Sequence, residues 1–107
     1  MKILIMGAGK MGSFFIDLLS FDHEVAVYER NAKRSRFTYN CQRFTSLDEV
    51  KAFEPELLIN AVTVKYTLSA FEEVLPYLPE HCIISDIASV KTDLKAFYEK
   101  TGHPYVS

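Results

Sequence analysis

A short apolar run, Lys2-Ile3-Leu4-Ile5-Met6, leads directly into Gly7-Ala8-Gly9-Lys10-Met11-Gly12, and a helical pattern follows. No other feature constrains the fold of this chain so tightly, because each glycine answers a different physical demand. Gly7 permits a tight turn out of a strand. Gly9, lacking a Cβ, lets backbone approach a bulky anion. Gly12 lets the following helix pack close to the sheet. The helix N-terminus adds free N–H groups and the positive end of a dipole. A strand, Gly-x-Gly-x-x-Gly and a helix in this order form the fingerprint of a pyrophosphate-binding turn, as found in dinucleotide sites.

The flanking residues strengthen the reading. Met11, Phe14, Phe15, Leu18 and Leu19 recur at i, i+3, i+4, i+7 and i+8, which predicts one apolar helix face. Glu24 to Tyr28 (EVAVY) predicts a second strand, and Glu29 follows it. The fingerprint calls for an acid about 20 residues past the glycines, where it can accept hydrogen bonds from ribose hydroxyls. Glu29 meets that requirement.

Strand and helix patterns alternate to the end of the chain. A weak strand is expected around Gln42 to Phe44. Ser46-Leu47-Asp48-Glu49 is a capping box that predicts a helix over Leu47–Phe53, stopped by Pro55. Glu56 to Val62 reads as a buried strand, and Tyr66 to Leu78 as a helix with Leu68, Phe71, Leu75 and Leu78 inward. Cys82 to Asp86 is a fifth strand, Lys91 to Lys100 a helix with Leu94, Phe97 and Tyr98 inward, and Tyr105-Val106 a sixth strand. Six strands joined by helical crossovers predict a doubly wound parallel α/β sheet of the Rossmann type, three-layered, with strand order 3-2-1-4-5-6.

At 107 residues the chain is one domain. It runs out in a strand pattern, so residues 1–107 are expected to be the N-terminal dinucleotide-binding part of a longer two-domain enzyme. A net charge of −2 argues against a general nucleic-acid binder. No apolar run nears the ~20 residues of a membrane span. Cys41 and Cys82 lack metal-type spacing, no metal is expected, and Cys82 reads as a small buried hydrophobe. The expected compartment is the reducing cytoplasm.

In doubly wound sheets, ligands bind outside the carboxyl ends of the strands. The loops leaving strands hold Gly7 to Gly12, Glu29 to Arg34, Thr63 to Thr67 and Ile87 to Thr92. His23, His81 and His103 all precede strands, so they are expected to be exposed turn residues on the opposite edge. Arg30, Lys33, Arg34, Arg36 and Arg43 form a basic stretch directly after Glu29. Glu29 bonding a ribose 2′-hydroxyl favours NAD. A guanidinium such as that of Arg30 or Arg34 could instead clasp the 2′-phosphate of NADP, and a solvated basic loop is the third reading. Ser89 is read both as a helix N-cap and as a hydroxyl aimed at a ligand. Asp86 is read as the end of its strand.

These residues resemble a known family. Gly7 to Gly12, the Ala61-Val62-Thr63 turn with Thr67 after it, and above all Asp86-Ile87-Ala88-Ser89-Val90-Lys91 look like the nucleotide-binding domain of prephenate dehydrogenases. The resemblance covers essentially the whole chain. It implies an NAD(P)-dependent oxidative decarboxylation, in which prephenate gives 4-hydroxyphenylpyruvate on the way to tyrosine, with arogenate as the alternative substrate. Ser89 matches the family serine near substrate and nicotinamide, the one catalytic candidate here. Gly7, Ala8, Gly9, Lys10, Met11 and Gly12 match the pyrophosphate loop. Glu29 matches the ribose contact, and Val62, Thr63 and Thr67 the adenosine-side wall, while Arg30 stays a cofactor-binding candidate on its charge alone. Thr63 stands where the family usually has proline. The family's catalytic histidine would lie beyond Ser107, and its helical second domain implies a homodimer for the full-length protein. Two other readings remain open: another two-domain dehydrogenase of the 3-hydroxyacid or imine reductase type, and a non-catalytic nucleotide sensor.

Overall fold

The computed structural model describes residues 1–7, 10–29, 41–62, 66–87 and 92–106. Six parallel strands form one sheet: β1 (Lys2–Met6), β2 (Glu24–Tyr28), β3 (Gln42–Phe44), β4 (Leu57–Asn60), β5 (Ile83–Asp86) and β6 (Tyr105–Val106), in the order β3-β2-β1-β4-β5-β6. Among the described residues the α-helices are α1 (Lys10–Leu19), α2 (Leu47–Phe53), α3 (Thr67–Val74) and α4 (Thr92–Thr101). The predicted order 3-2-1-4-5-6 is the observed one.

Central strands read as unbroken apolar runs because both faces of the sheet are covered. On one face Leu4, Met6, Ala26, Tyr28, Phe44, Leu58 and Ile84 pack beneath α2, α3 and α4, which contribute Val50, Phe53, Phe71, Val74, Leu94 and Tyr98. On the other, Ile3, Ile5, Val25, Val27 and Ile59 pack against Ile16 of α1. The sheet is thus the middle of three layers. The capping box forms as the sequence requires: the Glu49 amide donates to Ser46 Oγ, and the Ser46 amide donates to Glu49 Oε1. Glu54 closes α2 in the left-handed region at φ 52°.

Three local expectations need correction. The apolar face of α1 is rotated: Ile16 is 1% exposed with Phe15 and Leu19 beside it, whereas Phe14 is 54% and Leu18 59% exposed. The helix predicted from Tyr66 to Leu78, with Pro76 and Pro79 as its stops, is α-helical only to Val74 and continues as a 3-10 turn over Leu75–Tyr77. Pro76 lacks the N–H that the α-helical ladder needs and would crowd the carbonyl one turn back. The histidines do lie at the edge where strands begin, yet only His81 is exposed. His23 is half-buried, with an Nδ1 that is enclosed and makes no hydrogen bond. His103 is half-buried, with its Nδ1 3.1 Å from the Cys82 carbonyl oxygen.

Candidate functional site

The carboxyl edge of the sheet is built around Gly7. Its φ is +91°, a conformation L side chains rarely adopt. Its amide donates to the Tyr28 carbonyl at 3.1 Å, which ties the turn to the end of β2 and sets it beside Glu29. On its other side, a Cβ added to Gly7 would lie 3.1 Å from the Ala61 carbonyl oxygen and 3.3 Å from Val62 Cγ2. The Ala61 amide in turn donates to Met6 O at 2.9 Å. Gly7 therefore sits in a slot between the ends of β2 and β4 that only a residue without a side chain fills. Glu29, half-buried, marks one wall, and Val62, also half-buried, marks the other.

Lys10, Met11 and Gly12 form the first turn of α1, which begins three residues beyond Gly7 at this same edge. Ala8, Gly9, Arg30, Thr63 and Ser89 lie outside the described residues, as does most of the basic stretch. Of that stretch Arg43 is described, exposed on β3. Thr67 opens α3 and is buried, and its hydroxyl donates to the Val62 carbonyl at 3.3 Å. It meets the loop backbone and supports the wall from behind.

Sequence reasoning missed the polar lining beneath this edge. The last rung of the ladder aligns Tyr28, Met6, Asn60 and Asp86. Three of the four are polar, on a face that is otherwise apolar, and each ties its strand end to a helix. The Tyr28 hydroxyl donates to Glu73 of α3 at 3.0 Å. Asn60, 0% exposed, donates from Nδ2 to the Thr67 carbonyl at 3.0 Å and accepts the Val62 amide at Oδ1, 3.2 Å. The Tyr98 hydroxyl of α4 donates to Asp86 Oδ2. Burial, and then the neighbouring Asp86 carboxylate, push the Tyr98 hydroxyl well above the usual tyrosine range, so it stays a donor. Asp86 is therefore more than a strand terminus. The sequence signal was the placement of Tyr28 and Asp86 one step before a predicted loop; Asn60 lay inside the predicted Glu56 to Val62 strand and carried none.

Among the described residues no group of three or more His, Cys, Asp or Glu gathers as a metal site would require, and no helix is long and apolar enough to cross a membrane. No family model matches the chain, and no curated protein matches it in sequence. Solved structures do match in shape. The Mycobacterium tuberculosis 3-hydroxyisobutyrate dehydrogenase superposes with TM-score 0.82 at 18% identity, over 97% of this chain and 38% of that one. Prephenate dehydrogenase from A. aeolicus, in complex with hydroxyphenyl propionate and NAD+, gives 0.82 at 24% identity, over 94% and 37%. The imine reductase from Myxococcus stipitatus, in complex with NADP+, gives 0.75 at 17% identity, over 98% and 39%. This is a Rossmann fold. The chain spans about two fifths of the length of these neighbours.

Proposed function

We propose that this chain binds a nicotinamide dinucleotide at the carboxyl edge of its sheet and is the nucleotide-binding portion of a dehydrogenase. One observation carries the reading. Gly7 is held at positive φ between the Tyr28 and Ala61 carbonyls, with α1 opening beyond it and Glu29 beside it. A glycine held in this way supports a pyrophosphate turn, and an acid directly after β2 supports a ribose contact. In this reading α1 offers its N-terminus to the diphosphate, and Glu29 accepts from the ribose hydroxyls. The carboxylate favours NAD over NADP, since it repels a 2′-phosphate.

The finer reading is a prephenate dehydrogenase, with arogenate as the alternative substrate. It is supported by the Asp86-to-Lys91 stretch and by the prephenate and arogenate dehydrogenases among the structural neighbours. In that reaction the ring carbinol carbon of prephenate gives a hydride to the nicotinamide, carboxylate leaves as CO₂, and the ring aromatises. Ser89 would orient the substrate hydroxyl. The histidines described lie on the opposite edge of the sheet, so the base would come from a segment beyond residue 107, and the dimer from a second domain. A hydroxyacid dehydrogenase or imine reductase is the second reading, supported by superpositions at TM-score 0.82 on the 3-hydroxyisobutyrate dehydrogenase and 0.75 on the imine reductases.

Calorimetric titration of this chain with NAD⁺ and NADP⁺ at matched ionic strength tests the proposal. Tighter NAD⁺ binding is expected. Tighter NADP⁺ binding would reassign the subsite to Arg30 or Arg34, and binding of neither would overturn the dinucleotide reading.

A further inference from the structure

We propose that Asn60 is the positioning residue of the dinucleotide site, a role that rests on the dinucleotide reading above. The strand leading to it, Leu57-Leu58-Ile59, is apolar, and Asn60 faces the same packed layer as Leu58 and Phe71. An amide buried there is costly unless every polar atom is answered. Its partners lie at the two ends of the connection from β4 to α3. Oδ1 takes the Val62 amide near the start of that loop, and Nδ2 gives to the Thr67 carbonyl at its end. The Thr67 hydroxyl closes the figure by donating to the Val62 carbonyl.

A single side chain thus holds both Val62, which lies beside Gly7, and Thr67, which opens α3. Ala61 lies between the pinned Asn60 and Val62, and its carbonyl stands 3.1 Å from the point a Gly7 Cβ would occupy. The slot holds its width only while Ala61 and Val62 stay in register. A leucine would fill the same volume but would leave the Val62 amide and the Thr67 carbonyl without the partner Asn60 supplies. The loop would then seek other partners and shift against Gly7. Asn60 does not face the ligand edge itself, so its effect passes through backbone it fixes.

The test compares the parent chain with Asn60→Leu, and with a core control, Val50→Ala, which lowers stability on α2 away from the glycine turn. Dinucleotide affinity is measured by calorimetry, and exchange of the Val62 amide proton by NMR. Asn60→Leu is expected to weaken binding roughly tenfold or more and to lose protection at Val62, while Val50→Ala keeps the parent affinity within about twofold. Should Asn60→Leu not fold, Asn60→Ser withdraws both contacts without placing carbon against the loop, and the same losses are expected. Parent-like affinity in a folded Asn60 variant overturns the proposal, as does an equal loss in Val50→Ala. A parent chain that binds neither nucleotide overturns the dinucleotide reading and this role with it. Unchanged Val62 protection in Asn60→Leu overturns the clamp alone.

Discussion

Gly7 and Asn60 stand on either side of the same backbone, and they differ in how openly the sequence declares them. Gly7 belongs to a spaced pattern whose every member has a conformational reason, so its place was readable in advance. Its substitution is a direct check. Gly7→Ala must hold a methyl at φ +91° against the Ala61 carbonyl. A loss of about 1–3 kcal/mol of stability is expected by urea denaturation, together with weaker dinucleotide binding. Asn60 gave little warning. It falls within Glu56 to Val62, which reads as one buried strand, and nothing in that run sets its amide apart. That it turns inward and ties two loop residues depends on where Val62 and Thr67 come to rest, which no local pattern encodes. Asp86 and Tyr98 are twelve residues apart, on different elements, and their pairing is equally tertiary.

At the scale of elements, the strands and their order followed from alternation of apolar runs with helical periods, and the capping box marked the start of α2 through chemistry internal to four residues. The orientation of α1 did not follow. Phe14, Phe15, Ile16, Leu18 and Leu19 spread over more than half of the turn around the helix axis, so periodicity selects an apolar side without fixing its centre. Phe14 and Leu18 each lie two residues from Ile16, about 200° around the helix axis. Packing on Ile3, Ile5, Val25 and Val27 chooses Ile16, which turns the other two outward. The energetic contrast is sharp. Ile16→Ala should cost about 2–5 kcal/mol, whereas Leu18→Gln should stay within about 0.5 kcal/mol, both read from urea midpoints. Equal losses would restore the stripe that the sequence suggests.

For the molecule as a whole, stability is tied to pH through a thiol far from the glycine turn. Burial pushes the Cys82 thiol up to about 12 from its ordinary 9.0. Between those values the unfolded chain has lost the proton while the folded chain keeps it, so the unfolded state binds fewer protons and stability falls as pH rises. Below pH 9 the contribution is fully present. Denaturant midpoints measured at pH 8 and at pH 10.5 should therefore decline for the parent, and decline less for Cys82→Ala. The opposite trend would contradict the burial of this thiol. The sheet that buries it also carries an aromatic line: Phe71 packs on Phe97 and Tyr98, and Tyr98 stacks on Tyr105 at 4.8 Å with planes 7° apart. The sequence has six tyrosines and no tryptophan. Ultraviolet emission from these 107 residues therefore arises from phenol rings, with no indole among them to drain it. The parallel Tyr98–Tyr105 pair brings two transition dipoles into close register, so near-ultraviolet circular dichroism reports whether β6 is seated against α4. A reduced nicotinamide held at the carboxyl edge would accept that phenol excitation, making the chain its own optical probe of occupancy.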